Sequence, residues 1–360
     1  MNIVIANTKK DKKRYIDFIY NIYKEDKNFS DLNITFLKNF LYKKDSYAKR
    51  VDIEPIIVED NGIKLVGTFI SSDDSKQLKL AFLEFVPNAS KYINKIIEYG
   101  KELLNSKNLE ELIIGVNGQV SYGLGILEHG DNEKFEFNAN YNPDYYTKEI
   151  DQIISVSKNA YSYIYDAKNS LDIIGNNLMN ELSKHYTFRY MDKKHFKRDM
   201  LIFGDLCDKT LKSTPYYSYK SNKEMYELMK QMKFLLKNED IIFALKDNKE
   251  IGFIFTHPDY VELFDKPKLN YVKLFFRKLY KKPKNLIYNV IGILPEYQKS
   301  GLAMGLIHKS IDVRKNDYPI GVSSFILEEN IPSTMLSRKL SIGVNKKYKI
   351  YEIKKDDKNV

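Results

Sequence analysis

The segment from Ile287 to His308 constrains the fold more than any other. Its apolar run Ile287-Tyr-Asn-Val-Ile-Gly-Ile-Leu294 stops at Pro295; beyond the polar loop Gln298-Lys299-Ser300-Gly301, the residues Leu302, Ala303, Leu306, Ile307 and Ile311 recur at helical spacing. A strand that turns into a helix through a glycine-bearing loop lays out an anion site. The N–H groups of a helix's first turn have no intrahelical acceptor and lie at the positive end of the helix dipole, so a phosphate can occupy them. Gly301 permits close backbone approach to a bulky diphosphate, and Ala303 adds little bulk.

A chain of 360 residues exceeds one comfortable core, which predicts two domains. With 43% apolar residues it reads as an ordinary soluble globular protein. Lys and Arg number 58 against 48 acidic residues, a formal net charge of +10, but the lysines are scattered, so nucleic acid is not expected as a partner. Only Lys273 to Lys284, with Arg277, Lys278, Lys281 and Lys282, forms a basic cluster; it either meets a bound phosphate or is a solvated loop. Cys207 is the single cysteine, which excludes an intrachain disulfide and a cysteine metal site. His129, His185, His195, His257 and His308 lack ligand spacing, so no metal is expected. The N-terminus reverses the charge-then-apolar order of a secretory signal, and no apolar stretch approaches about 18 residues. The expected location is cytoplasmic, with no membrane partner.

Periodicity gives the two halves one pattern. In the first, Asn2 to Ala6 is a strand and Ile16 to Tyr23 a helix. Ile56 to Glu59 and Lys64 to Ile70 are strands joined at Asp60-Asn61-Gly62, a tight-turn signal. Lys79 to Val86 is a strand stopped by Pro87, Ile93 to Leu104 an amphipathic helix, and Leu112 to Val116 a strand. In the second half, Phe188 to Tyr190, the helix Tyr226 to Leu236, the hairpin of Asp240 to Leu245 and Ile251 to Phe255, and the strand Leu286 to Leu294 repeat that order. This predicts a structural duplication, with domains 1–168 and 169–360 meeting in the polar stretch Asp166-Ala-Lys-Asn-Ser170. After Pro87, Asn88-Ala-Ser-Lys-Tyr-Ile-Asn94 offers no glycine and no matching Gln or Arg, so the first half is expected to lack a pyrophosphate site.

The order apolar strand, Pro-Glu-Tyr, Gln298-x-x-Gly-x-Ala303 resembles the coenzyme A pyrophosphate loop of the GNAT superfamily of acyltransferases. Ser324-Phe-Ile-Leu-Glu-Glu-Asn330 resembles that family's next strand, Ser333 to Leu340 its following helix, and Tyr348 to Glu352 its last strand. Gly115-Val-Asn-Gly118, Gly123-Leu-Gly125 and Tyr141-Asn-Pro-Asp-Tyr-Tyr146 resemble the degenerate first domain of bacterial two-domain GNAT proteins; read without that resemblance, the glycines are turn residues. The resemblance implies an α+β fold of two GNAT-like domains, each a splayed mixed sheet flanked by helices. It implies acetyl-coenzyme A as acyl donor and an amine-bearing acceptor. Backbone groups of Val290, Ile291, Gly292 and Ile293 would pair with the pantetheine arm. The amides of Gln298, Lys299, Ser300, Gly301, Leu302 and Ala303 would hold the diphosphate, and Asn330 would hydrogen-bond the pantetheine arm, with Ser333 counted among the cofactor-binding residues. Asn330 has a second available role, capping the helix that follows.

Acyl transfer in this family is direct. A neutral amine attacks the thioester, and an acid helps the thiolate leave. The family's usual tyrosine, seven residues beyond the motif asparagine, is Ser337 here, and its Leu-Gly pair is Leu340-Ser341. Tyr288 and Glu328 are the candidate catalytic residues instead, each otherwise a plain strand residue; Cys207 has no histidine partner and reads as packing. The leading expectation is an acyl-coenzyme A-dependent N-acyltransferase, most simply an acetyltransferase. The alternatives are a non-catalytic acyl-coenzyme A sensor or scaffold, and an aminoacyl-tRNA-dependent transferase, which would have no use for the diphosphate loop.

Overall fold

The computed structural model describes residues 1–129, 136, 139–263 and 271–357, with the backbone alone at 32, 271–273, 275 and 278. Lys273 and Lys278 of the basic segment therefore lie outside the described side chains. Of the described residues, 1–160 and 346–357 form one compact unit, and 161–263 and 271–345 the other.

The first unit runs β1 (Asn2–Ile5), α1 (Lys9–Ile22), α2 (Leu32–Leu41), α3 (Ser46–Arg50), β2 (Asp52–Glu59), β3 (Ile63–Ser71), β4 (Gln77–Phe85), α4 (Ser90–Ser106), β5 (Glu111–Ile114), β6 (Ile126–His129) and α5 (Tyr145–Ile150). Strand β7 (Ser157–Asp166) leads into the second unit, which continues α6 (Ala167–Ile174), α7 (Asn176–Leu182), β8 (Thr187–Tyr190), α8 (Phe196–Leu211), α9 (Asn222–Met232), β9 (Ile241–Lys246) and β10 (Lys249–Pro258). Then follow α10 (Tyr271–Tyr280), β11 (Asn285–Ile293), α11 (Leu302–Arg314), β12 (Ile320–Ser323), β13 (Ile326–Leu327), α12 (Ile331–Leu340) and β14 (Gly343–Lys354).

The two sheets share one topology. Strands β1-β2-β3-β4-β5 lie side by side, antiparallel until the parallel β4–β5 pair, and β8-β9-β10-β11-β12 repeat that order and sense. The sixth strand of each sheet is exchanged along the chain. Residues 347–349 and 351–354 of β14 pair antiparallel with β6 and β5 of the first sheet, whereas Ile164–Asp166 of β7 pair with β12 of the second. The expected division at 168/169 puts Tyr348 to Glu352 in the second domain; their hydrogen bonds lie in the first sheet. Pairing follows which edge is open, not nearness in sequence, and the polar stretch at 166–170 is a helix start, with Asp166 capping α6 through the Asn169 N–H at 2.8 Å.

Packing explains the helical spacing read from the sequence. In the first unit Ile93, Ile96, Ile97 and Leu104 of α4 join Leu65, Phe69, Leu80 and Leu112 in one core. In the second, α8 and α9 cover one sheet face, with Phe203, Leu206, Cys207 and Met229 against Phe243 and Phe253. Cys207 is thus core, and burial pushes its thiol up to about 12. The opposite face takes α11, whose Leu302 and Leu306 are buried among Ile242, Ile254 and Ile293. Each such side chain contributes about 1.5–3 kcal/mol by leaving water. Gly305 lets α11 approach α7, since a Cβ there would stand 2.5 Å from Leu182 Cδ1.

Candidate active site

The β11–β12 pair opens like a fork. Parallel pairing runs from Asn285 with Ile320 to Tyr288 with Ser323 and ends there, while β11 continues along β10 to Ile293. A one-residue bulge marks the place: Phe255 pairs with Val290 and Thr256 with Tyr288, so Asn289 has no opposite residue. Such a bulge bends a strand and ends its pairing. The Leu294 N–H bonds the Ile251 carbonyl at 2.9 Å. Because an antiparallel ladder alternates, Gly292 and Val290 turn toward β10 and Ile291 and Ile293 toward the side β12 has left. Of the expected run 290–293, the peptide groups of Ile291 and Ile293 are the ones facing the fork.

Beyond β11 the loop is built to expose amides. Lys299 and Gly301 are left-handed, with φ of 62° and 84°, a pattern that forms anion-binding concavities with successive N–H groups. Helix α11 starts after Gly301 with no side chain capping it. Its first intrahelical bond of this turn runs from Gly305 N–H to Gly301 O at 3.1 Å, so the donors of Leu302, Ala303 and Met304 precede any helical acceptor. Gln298 and Ser300 brace the loop: the Gln298 amide donates to Ile293 O at 3.2 Å and the Ser300 hydroxyl to Tyr297 O at 2.7 Å. The Lys246 ammonium lies 5.5 Å from the Tyr297 ring, beside the loop, a cation with no sequence signal.

Gly292 has a packing reason. A Cβ there would fall 2.4 Å from Thr210 Oγ1 and 2.6 Å from the Phe253 ring. Asn330 caps α12, its carbonyl oxygen accepting from Ser333 N–H at 3.3 Å. Glu328 is exposed in the turn before α12. Tyr288 sits at the base of the fork, its ring over Gly321 and 5.6 Å from the Tyr165 ring; burial holds its phenol protonated well above the ordinary range. The Tyr165 hydroxyl donates to Ser337 Oγ at 3.0 Å, so a phenol from β7 stands beside the serine. Ser324 closes the fork, its N–H bonding Tyr288 O at 2.9 Å and its hydroxyl Asn289 O at 2.6 Å.

His257, which looked isolated in sequence, lies under the bulge. Its Nε2 is 3.4 Å from Asn289 Nδ2 and its Nδ1 3.0 Å from Pro258 O. Burial lowers its pKa to about 4, so it is neutral at neutral pH, with an Nδ1–H for the carbonyl and Nε2 accepting from the Asn289 amide.

The first unit has the same fork and fills it. Parallel pairing of β4 and β5 ends at Leu80 with Ile114, and a one-residue bulge follows at Phe82 and Leu83, opposite Gly67. By position Phe85 corresponds to Ile293, and both its edge groups are taken: its N–H donates to the Tyr146 oxygen at 3.0 Å, and its carbonyl accepts from Tyr145 at 2.6 Å. Phe82 N–H donates to Asn117 at 2.8 Å. At the start of α4 the Glu149 carboxylate accepts from Asn88 N–H at 2.7 Å and Ala89 N–H at 2.5 Å. One short helix, α5, thus supplies tyrosines to the strand edge and an anion to the helix N-terminus.

No family model matches this chain, and no curated protein matches it. Solved structures do. A tandem GNAT protein from the clavulanic acid biosynthesis pathway aligns over 99% of both chains with a TM-score of 0.57 at 9% identity. A GCN5-related glucosamine N-acetyltransferase region of a fungal multi-domain GH3 β-N-acetylglucosaminidase gives a TM-score of 0.59 at 9% identity, covering 98% of this chain and 38% of that one. The chain therefore has the tandem GNAT fold.

Proposed function

We propose that the second unit binds an acyl-coenzyme A and that the protein is an N-acyltransferase, in its simplest form one that moves an acetyl group from acetyl-coenzyme A to an amine. The observation that carries this is the fork opening at Asn289 directly before the uncapped N-terminus of α11. A diphosphate fits the amides of 299–304, and an amide-bearing arm running back along β11 would meet the peptide groups of Ile291 and Ile293 as an added strand does. The arm's end would then arrive at the base of the fork, between Tyr288, Tyr165 and Ser324. An amine held there attacks the thioester carbonyl, the tetrahedral intermediate collapses, and the thiolate leaves with a proton. Tyr288 is the nearest phenol on β11 to give that proton, with Tyr165 beside it; neither can act as a base while burial keeps it protonated.

A second reading has its own support. Ser337 stands where a tyrosine would be expected and Glu328 is exposed, which suits coenzyme binding without catalysis.

Calorimetric titration with coenzyme A and acetyl-coenzyme A tests the shared premise, and sub-millimolar binding is expected. Gly301→Glu should weaken it on the order of 100-fold or more by setting a carboxylate against the phosphates. Gly301→Ala, which carries the backbone strain and a 3.2 Å approach of the new Cβ to Leu178 Cδ1 but no charge, should weaken it far less. Equal affinity in Gly301→Glu and the unaltered chain would move the site elsewhere. Thiol release from acetyl-coenzyme A across an amine panel then separates transferase from sensor.

A further inference from the structure

The connection between β10 and β11 is the feature that the acyl-transfer reading leaves unused. In the first unit the corresponding β3–β4 hairpin closes with residues 72–76; in the second, residues 259–284 lie between the strands and include α10. Hairpin loops ordinarily take about 2–5 residues, so an insertion that carries its own helix needs a reason beyond joining two strands.

Helix α10 has an inner and an outer side. Leu274 is 1% exposed, and the Arg277 guanidinium donates to Leu263 O at 2.8 Å. Phe276, Leu279 and Tyr280, at helical spacing on the side opposite Leu274, are 58%, 70% and 76% exposed. Two aromatic side chains and a leucine standing that far into water on one helix are a surface made for contact. The chemistry around them narrows the partner. From 273 to 284 the sequence carries Lys273, Arg277, Lys278, Lys281, Lys282 and Lys284 and no acidic residue. Among the described residues the local counter-charges include Glu262, whose carboxylate takes the backbone N–H groups of Lys284 and Asn285, and Asp317, 3.3 Å from the Lys282 ammonium. Cationic charge beside an outward apolar stripe matches a surface that is negative at its face and apolar just beneath.

We propose that α10 docks the protein on an anionic lipid bilayer, with Phe276, Leu279 and Tyr280 entering the headgroup boundary and Lys281, Lys282 and Lys284 meeting lipid phosphates. Among the described residues no helix is long and apolar enough to cross a membrane, so the contact lies at the surface. It is independent of the acyl-transfer reading and survives if that reading fails. If vesicles bind, it replaces the expectation of no membrane partner.

The test is co-sedimentation of the full chain with vesicles of phosphatidylcholine alone and of equimolar phosphatidylcholine and phosphatidylglycerol. Binding is expected to the anionic vesicles only and to weaken with added salt. The double variant Leu279→Glu, Tyr280→Glu should abolish it. Lys281→Gln and Lys282→Gln should each lower partitioning about fivefold. Circular dichroism and gel filtration of each variant verify that it is folded. The proposal would be overturned by no binding to either vesicle, by binding unchanged in the double variant, or by a wild-type dimer that the double variant dissolves while vesicles bind neither. Binding to bulk RNA in place of vesicles would assign the same charge to a different partner and overturn it too.

Discussion

Glu84 shows most directly what tertiary enclosure does to one residue. Nothing in the run Leu80 to Phe85 marks it, yet its carboxylate accepts from Tyr23 at 2.8 Å and Tyr146 at 2.6 Å. Burial raises its pKa to about 7, and the two phenol bonds hold it partly down. The unfolded carboxyl ionises near the ordinary 4.5, so between that value and about 7 the native state binds the extra proton. This contribution to stability is fully present below the unfolded pKa and is lost as pH rises through the folded one. Glu84→Gln should remove the loss: its melting temperature relative to the unaltered protein is expected to climb between about pH 5 and pH 8. Parallel melting curves at every pH would show that Glu84 does not titrate in this window. Tyr288, His257 and Ser337 teach the same lesson. Their chemistry was readable as residue type, but their partners Tyr165 and Asn289 come from other strands that no spacing rule reaches.

At the scale of elements, the strand, loop and helix from Asn285 to Arg314 were legible because each rests on local rules: apolar runs, glycine's access to left-handed backbone, and 3.6-residue spacing. The expectation of a single site in the second half rested on a missing glycine after Pro87. What closes the first fork was not legible. Tyr145, Tyr146 and Glu149 sit about sixty residues beyond the strand they fill, as the separations of their bonds record. Glu149→Ala should leave the Asn88 and Ala89 N–H groups without their acceptor and cost about 2–4 kcal/mol in urea unfolding. Coenzyme affinity, assigned to the other unit, should stay unchanged. A drop in affinity with no drop in stability would mean the two forks have been assigned the wrong way round. Helix α8 escaped the pattern reading because Asp199 is buried on its inner face, held by Arg189 at 2.9 Å, and breaks the apolar stripe.

For the whole molecule, the exchange of sixth strands decides how the chain is divided. Tyr348, Ile350, Tyr351 and Ile353 of β14 are each no more than 2% exposed, and each contributes about 1.5–3 kcal/mol by burial, a sum comparable to the stability of a domain. Truncation after Asn345 should therefore unfold the first unit, with hydrogen-exchange protection lost across β4 and β5 and kept in β9 and β10. Retained protection in β5 would show that its partner strand is dispensable. By itself the sequence determined the mixed α+β class, the duplicated order of elements and the glycine loop that opens α11, because periodicity and backbone freedom act over a few residues at a time. Only the tertiary structure decided where the last strand pairs, what stoppers the first fork and which groups stand at the base of the second. Those outcomes depend on edges and side chains that meet after folding, from positions whose spacing along the chain carries no trace of the meeting.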